Sequence, residues 1–237
     1  MTVAPVVAWH DVECGGYRAD VPLWLELAAA AGGPVLDVGA GTGRVALELA
    51  RAGHDVTALD IEPELLATLA ERARGLPVRT VVADASNFIL GRRFALIIVP
   101  MQTIQLLPER AGFLAAARAH LAPGGLLAIA ISGALETFDA AQGPLPEPDV
   151  GALDGWRFAS QPTAVRAGPA GTQVERRRLA VGPDGSASDE IDLIELAHVS
   201  VAGLEAEGAA AGLRPEPHRS LAPTELHIGS EVVLLRG

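Results

Sequence analysis

Short apolar segments alternate with amphipathic segments between Val35 and Ile131. The apolar segments have the length of strands, and they are "PVLDVG", "HDVTALD", "VRTVVAD", "RFALIIVP" and "GGLLAIAIS". The segments between them have helical spacing, as in "RVALELARAG", "EPELLATLAERARG" and "PERAGFLAAARAHLAPGG". Strands that are apolar throughout and alternate with helices are typical of a parallel sheet covered on both faces. We therefore predict an α/β fold, with a Rossmann-like open, mostly parallel seven-stranded sheet and helices on both faces.

The pattern changes after Ser132. The segment "AAQGPLPEPDVGALDG" is rich in proline and glycine and predicts a loop. The next three segments, "WRFASQPTAVRA", "GTQVERRRLAVG" and "DEIDLIELAHVS", are separated by turn residues. They predict a small antiparallel β meander inserted after the fifth strand. A helix and two closing strands follow, and "VPLWLELAAAAGG" predicts an amphipathic helix before the first strand.

Composition limits the possible partners of the chain. Its 237 residues carry a net charge of −11, and all 18 basic residues are arginine. Dispersed arginines on an acidic chain are poorly suited to a phosphate backbone, so we expect no nucleic acid partner. We expect no membrane segment either, because no apolar run approaches the roughly 20 residues of a span. The single cysteine, Cys14, favours a cytoplasmic location, and no group of residues has metal-ligand spacing.

The segment "VLDVGAGTGR", from Val35 to Arg44, is the first candidate for a ligand-binding loop. A dinucleotide fingerprint requires a third glycine where Arg44 stands, and a P-loop requires a lysine. Asp37 would repel a diphosphate. A helix beginning at Gly43 or Arg44 would still offer free N–H groups to an anion. A ligand with both an ammonium and a carboxylate would match both the Asp37 carboxylate and these N–H groups. The methionine portion of S-adenosylmethionine is such a ligand.

Two further acids end the next two strands. Asp60 ends "VTALD", where a carboxylate can accept both ribose hydroxyls, and Asp84 ends "VVAD", where it can accept from the amine of adenine. The carboxyl ends of parallel strands form the edge at which open α/β sheets bind ligands. Each acid alone is also compatible with a helix cap or a turn.

The segment from Val35 to Ile131 resembles the class I S-adenosylmethionine-dependent methyltransferases. The resemblance rests on "VLDVGAGTGR", "VTALDIEPELL", "VVADAS", "RFALIIVP" and "LAPGGLLAIAI". The N-terminal "YRADVPLWLELA" and the meander are similar, more loosely, to small-molecule methyltransferases of actinobacterial type. The resemblance implies one methyltransferase domain over residues 1–237. Its parts are an N-terminal cap and helix (1–34), a cofactor-binding core (35–132), a β insertion over the acceptor pocket (151–200) and closing elements (201–237).

The resemblance also implies a cofactor, S-adenosyl-L-methionine, with S-adenosyl-L-homocysteine as its product. The implied cofactor-binding residues are Tyr17, Asp37, Gly39, Ala40, Gly41, Asp60, Ile61, Asp84, Ala85, Ser86, Pro100 and Met101. Among them, Asp37 and the glycines would surround the methionine portion. Ile61 would pack on the adenine, and Tyr17 would close over the methionine end.

The fourth motif departs from the family pattern. The chain has "PMQTIQLL", so Leu106 stands where relatives often have a histidine. We therefore expect catalysis mainly by positioning, with Gln102 and Gln105 orienting a small-molecule acceptor. The candidates for a base are His10, Glu13, Glu136 and His227. His198 alternates with apolar neighbours and is expected to be structural, and His54 and His120 lie at the ends of predicted elements, far from the carboxyl edge.

Three alternatives stay open at this stage. One is dinucleotide-dependent redox chemistry, against which Arg44 and Asp37 count. The others are a non-catalytic S-adenosylmethionine-binding protein and an enzyme that uses this cofactor for a non-methylating reaction. The methylated atom is equally open between oxygen, nitrogen and carbon. An exposed strand edge in the meander also predicts a homodimer.

Overall fold

A computed structural model describes residues 5–133, 135–141, 143–224 and 227–237. The chain divides into two compact units. The larger unit contains Arg18–Gly133 and Val199–Gly237, and the smaller unit contains the described residues of Met1–Tyr17 and Ala134–His198.

Helices and strands alternate through the first half of the chain, and strands predominate in the second. The helices are α1 (Pro5–Cys14), α2 (Val21–Ala31), α3 (Ala46–Arg51), α4 (Pro63–Arg72), α5 (Thr103–Leu106), α6 (Arg110–His120) and α7 (Val201–Ala210). The strands are β1 (Val35–Val38), β2 (Val56–Asp60), β3 (Val78–Val82), β4 (Phe94–Val99), β5 (Leu121–Ser132), β6 (Phe138–Asp139), β7 (Asp149–Leu153), β8 (Trp156–Ala167), β9 (Gly171–Val181), β10 (Ala187–Ala197), β11 (Arg214–Leu221) and β12 (Ser230–Arg236).

The larger unit is built on a seven-stranded sheet in the order β11-β12-β5-β4-β1-β2-β3. Strands β1 to β5 are parallel, and β12 and β11 pair antiparallel at one end. This confirms the predicted fold. The chain first moves outward from β1 to β3 and then restarts at β4 on the other side of β1. The carboxyl ends of β1 and β4 therefore form the switch point at which such sheets bind ligands.

Two apolar layers cover the two faces of this sheet. Every residue of β1 is buried, and alternate residues contribute to different layers. Trp24, Leu49 and Leu69 come from the helices of one layer. Phe113 and Leu114 of α6 belong to the other layer. Because a strand buried on both faces is mostly apolar, the pattern predicted the central strands of this sheet well.

The smaller unit is an antiparallel sheet in the order β10-β9-β8-β6, with β7 also paired to β8. Its three long strands confirm the predicted meander. Helix α1 packs on this sheet through an edge-to-face contact of Trp9 and Phe158, whose ring centroids lie 5.1 Å apart.

The prediction of a loop over residues 140–155 was wrong in part, because β7 lies within it. β7 pairs with β8 from Asp149↔Ser160 to Leu153↔Trp156, and Asp154-Gly155 form the two-residue turn between them. Both turn residues have positive φ, 50° and 79°, as a type I′ hairpin turn requires. The Asp-Gly dipeptide was the sequence signal for this hairpin. Helix α1 and the short helix α5 were also not predicted.

Candidate cofactor site

The loop that follows β1 is held against its neighbours on both sides. The N–H groups of Gly39 and Ala40 both donate to the Leu59 carbonyl of β2, at 2.8 and 3.0 Å. Gly39 has φ of 70°, and a Cβ there would lie 2.5 Å from Cγ2 of Thr103 in the segment after β4. Only glycine fits such a contact. The loops after β1 and β4 thus meet at the switch point.

The helix after this loop begins later than predicted. α3 starts at Ala46 and not at Gly43 or Arg44. The amides of Gly39, Ala40, Gly41 and Gly43 all donate to acceptors within the protein. The prediction of free N–H groups at a helix start beside the glycines was therefore wrong. These internal hydrogen bonds hold the loop between β1 and α3.

Asp37 lies within β1 and is almost entirely buried, with 1% of its surface exposed. Neither carboxylate oxygen makes a hydrogen bond of normal geometry to the residues that the structure describes. Burial raises the pKa of Asp37 to about 7, against the opposing field of the Arg44 guanidinium. The carboxylates of Asp60 and Asp20 raise this pKa further. A buried carboxylate without hydrogen bonds is costly unless a proton or a cation neutralises it.

Arg44, the residue after the last glycine, forms a buried ion pair. Its two terminal nitrogens donate to the two oxygens of Asp20, at 2.6 and 2.8 Å. Asp20 stands just before α2, and it also accepts from the indole N–H of Trp24 at 2.8 Å. Sequence reasoning used Arg44 only to exclude a dinucleotide site. Its spacing from Asp20 gave no signal of the pairing.

Asp60 ends β2 beside the glycine loop. Its Oδ2 accepts from the Gly41 amide at 2.8 Å, and its Oδ1 accepts from the Glu62 amide at 3.0 Å. Each oxygen retains a second acceptor position. Ile61, the next residue, is 66% exposed although it is apolar. A partly buried carboxylate with open acceptor positions next to an exposed aliphatic side chain is a combination that a nucleoside fits.

Asp84 lies in the turn after β3. Its Oδ1 accepts from both the amide and the hydroxyl of Ser86, each at 2.8 Å, and these bonds lower its pKa. Ala85 between them is buried. The amide of Ala83 donates to the Asp60 carbonyl at 2.9 Å, so the backbone after β3 is tied to the end of β2. Asp84 is therefore a turn residue through its Oδ1. Its Oδ2 makes no hydrogen bond to the residues that the structure describes.

The segment after β4 contains a strained residue. Met101 has φ of 56°, which a side chain such as methionine rarely adopts. Such strain is concentrated at functional sites. The Gln102 side chain, half-buried, makes no hydrogen bond to the described residues. Gln105 is buried, and its carbonyl oxygen accepts from the Ser132 amide and hydroxyl at 2.8 and 2.9 Å. The carbonyl of Gln105 is therefore bonded to β5. The prediction had this side chain orient the acceptor.

Three of the four base candidates lie in the smaller unit. Glu13 of α1 accepts from Arg178 at 2.7 and 2.8 Å and from Ser160 at 2.7 Å. Burial alone would raise the pKa of Glu13, but these bonds outweigh it and lower the pKa. A carboxylate with a lowered pKa is a poor proton acceptor. In the structure Glu13 instead joins Arg178 and Ser160 in a hydrogen-bonded network. His10 lies on α1, and Glu136 is exposed.

Two more predicted residues have clear positions. His227 lies in the larger unit, in a turn where its amide donates to the Thr224 hydroxyl at 3.0 Å. Tyr17, the last residue of the N-terminal segment of the smaller unit, is buried. Among the described residues, no three His, Cys, Asp or Glu side chains are grouped as metal ligands. Within the same residues, no helix has the length and apolarity of a membrane span.

Comparisons with known proteins agree with this geometry. Residues 35–125, which include β1 to β4 and the glycine loop, match the family described as Methyltransferase domain. Among curated proteins, none matches the chain in sequence.

Solved structures are similar over nearly the whole chain. CalS10, an amino pentose methyltransferase from Micromonospora echinaspora solved with S-adenosylmethionine bound, has a TM-score of 0.72 and 26% identity over 97% of each chain. DesVI of Streptomyces venezuelae has a TM-score of 0.72 and 25% identity over 95% of this chain and 94% of its own. KedS8, a sugar N-methyltransferase from a Streptoalloteichus species, has a TM-score of 0.72 at 23% identity, covering 97% and 91%. The chain thus contains a segment that matches the methyltransferase domain, and over nearly its whole length it is similar to solved methyltransferases of small molecules.

Proposed function

We propose that this protein transfers a methyl group from S-adenosylmethionine to an amine of a small-molecule acceptor. The observation that carries the cofactor assignment is the buried carboxylate of Asp37, which makes no normal hydrogen bond to the described residues. The methionine portion of the cofactor brings an ammonium group, which would supply the missing positive charge. A dinucleotide offers no such cation at this place.

The other residues of the site fit the remaining parts of the cofactor. Asp60 would accept from the ribose hydroxyls with the positions that Gly41 and Glu62 leave open. Ile61 would cover one face of the adenine, and Oδ2 of Asp84 would accept from its amine. When bound, the cofactor supplies an electrophilic methyl group on a positively charged sulfur.

The chain's own contribution to the chemistry is alignment and the exclusion of water. Pro100 and Met101 would face the reacting methyl group, with the strained φ of Met101 fixing the direction of this backbone. The amide of Gln102 would orient the acceptor by hydrogen bonding. Gln105, through Ser132, would hold the segment after β4 against β5. Alignment of this kind can contribute up to about 7–11 kcal/mol to lowering a barrier.

An amine acceptor suits a site without a base. Gln102, Gln105 and Leu106 cannot take a proton, and an uncharged amine has a free lone pair and needs none removed before it attacks. The product ammonium can lose its proton to water after the transfer. CalS10, which is similar to this chain at 26% identity, is described as an amino pentose methyltransferase. An amino sugar is therefore the acceptor class that we favour over an alcohol or a carbon acid.

The test pairs acceptors that differ only in the nucleophile. We expect calorimetry to show binding of S-adenosylmethionine, and S-adenosylhomocysteine to be released with an amino sugar but not with the matching hydroxy sugar. Release with the hydroxy sugar alone would overturn the amine assignment. Cofactor binding without turnover on a broad acceptor panel would favour the non-catalytic alternative. Tight binding of NAD would contradict the family's cofactor.

We also propose that two copies pair through the β insertion. β10 is the last strand of its sheet, so one of its edges has no strand partner within the described residues. Ile191 and Leu193 of β10 are exposed, and the register places them on the same face as Leu179 of β9. An exposed, apolar edge strand is a template for pairing with a second chain. Sedimentation of the wild type and of Ile191→Lys tests this, since a monomeric wild type would overturn it. The cytoplasmic location stays a prediction.

A further inference from the structure

The loop from Ala83 to Gly91, which we call the adenine loop, lies against helix α6. It contains Asp84, which the proposed function assigns to the adenine amine, followed by Ala85 and Ser86. Phe88 of this loop is buried in the same apolar layer as Phe113 and Leu114 of α6. The adenine loop is irregular in structure, so packing and side-chain bonds to other elements must fix its conformation.

His120, the last residue of α6, holds one end of the adenine loop. Its Nδ1 lies 2.7 Å from the Ala116 carbonyl oxygen, and its Nε2 accepts from the Leu90 amide at 2.9 Å. A carbonyl can only accept and an amide N–H can only donate, so the imidazole is neutral with its hydrogen on Nδ1. The ring also contacts Phe88, with centroids 4.8 Å apart. Both ring nitrogens are therefore used to join the loop to α6.

Gly112, in the first half of α6, lies against the other end of the adenine loop. A Cβ at this position would be 2.5 Å from the backbone carbonyl oxygen of Ser86. Real Cβ atoms do not come so close to a backbone atom, so any other residue would push Ser86 and its partner Asp84 away. Glycine lowers helix stability relative to alanine, and the close approach of the loop accounts for a glycine at this position.

We propose that Gly112 and His120 are positioning residues that set the adenine loop in the conformation in which Asp84 recognises the adenine amine. This inference rests on the proposed function, because it assumes that the adenine loop contacts the nucleobase. Neither residue is among those that the proposed function assigns to the cofactor. His120 acts through Leu90 and Phe88, and Gly112 acts through Ser86. His120 directly precedes β5, at the amino end of the sheet, so it would act on the adenine only through the loop.

The first readout is affinity, measured by calorimetry with S-adenosylhomocysteine. We expect His120→Ala and Gly112→Ala each to weaken binding by about tenfold, as the loss of a buried hydrogen bond or of close packing implies. His120→Gln, which can place an oxygen near the position of Nε2, should recover most of the affinity. The matched controls are His54→Ala, at the end of another element, and Gly203→Ala, a glycine within α7. Both controls should bind within twofold of the wild type.

The second readout separates positioning from general stability. We would compare S-adenosylhomocysteine with S-inosylhomocysteine, which has an oxygen in place of the adenine amine. The wild type should prefer the adenine compound, and this preference should shrink in His120→Ala and Gly112→Ala. With an amino sugar acceptor, KM for S-adenosylmethionine should rise more than kcat falls.

The results separate a failure of the positioning role from a failure of the proposed function. If the variants are folded and bind both compounds as the wild type does, or lose affinity for both equally, the positioning role is overturned. If the wild type itself binds neither compound, the proposed function is overturned and this inference with it. Gly112→Ala removes no hydrogen-bonding side chain, so it carries the comparison even where His120→Ala does not fold.

Discussion

Arg44 and Asp20 form a two-fold hydrogen-bonded ion pair between the glycine loop and the start of α2. The two N···O distances are 2.6 and 2.8 Å, and 6% of the Arg44 side chain and 1% of the Asp20 side chain are exposed. A third bond, from Trp24, completes the surroundings of Asp20. The pair fixes the backbone just after Gly43, and its positive member lies close enough to Asp37 to lower that residue's pKa.

Breaking this pair from one side should be strongly destabilising. We expect Arg44→Ala or Asp20→Ala to lower the free energy of unfolding by about 3–5 kcal/mol, because the remaining charge stays buried without its partner. Urea denaturation measures the change. The matched control is Arg51→Ala, which removes the exposed pair with Glu48 and should cost less than about 1 kcal/mol. Equal effects of Arg44→Ala and Arg51→Ala would contradict this view of the buried pair.

The buried Asp37 should make stability depend on pH. Its pKa is raised from 3.8 to about 7 in the folded protein, so the folded state binds this proton more tightly than the unfolded state. The stabilisation from that proton is complete below about pH 4 and is lost as the pH rises to about 7. Asp37→Asn carries no such proton. Relative to the wild type, this variant should therefore gain on the order of 3 kcal/mol between pH 5 and pH 8.

Urea titrations of both proteins at the two pH values give this difference. Asp55→Asn is the control, since Asp55 lies at the opposite end of β2 in exposed ion pairs with Arg79 and Arg92 that lower its pKa. Its stability difference from the wild type should be the same at pH 5 and pH 8. A pH-independent difference for Asp37→Asn would show that Asp37 is already ionised at pH 5.

The sequence predicted the parallel part of the sheet because its central strands β1, β2, β4 and β5 are mostly apolar and buried. It could not predict contacts that depend on distant parts of the chain. The partner of Arg44 lies 24 positions away, before α2, and the Leu90 amide that His120 accepts is 30 positions from it. Gln105 shows the same limit, since its spacing within "PMQTIQLL" gave no sign that its carbonyl is bonded to Ser132.

The β7 hairpin was a different kind of failure. The Asp154-Gly155 turn was present in the sequence, but the surrounding prolines and glycines outweighed it. Apolar and polar residues alternate only weakly along the strands of the smaller unit, because its outer face exposes apolar residues such as Val150 and Ile191. A half-exposed antiparallel sheet leaves less hydrophobic contrast along the chain than a sheet covered on both faces.

Asp60 should contribute about as much to cofactor affinity as one charge-assisted hydrogen bond. We expect Asp60→Ala to weaken binding of S-adenosylmethionine about 10–150-fold, because about 1.5–3 kcal/mol is lost with a charge-assisted bond. Calorimetry measures the affinity. Asp55→Ala, at the other end of the same strand, should leave it unchanged. An unaltered affinity in Asp60→Ala would rule out the ribose assignment.

The catalytic mechanism gives the last prediction. Transfer of a methyl group from a sulfonium needs no acid for the leaving group, and an uncharged amine needs no base. Leu106 occupies the position of the family's histidine and is 52% exposed. If alignment dominates, alanine at His10, Glu136 or His227 should each lower kcat by less than the ~10²-fold typical of losing a general base. Glu13→Ala should also stay under this limit and should instead lower the thermal stability, because it breaks the network with Arg178 and Ser160.

The pH profile tests the same mechanism independently. The logarithm of kcat should follow the ionisation of the acceptor amine, so two amino sugars of different amine pKa should give profiles displaced by that difference. Gln102→Ala should lower kcat more than it raises KM for the cofactor, since Gln102 orients the acceptor. A single substitution that abolishes turnover while sparing both binding steps would identify a base and overturn catalysis by positioning. A profile that stays fixed near pH 6.5 for both acceptors would point to a histidine as that base.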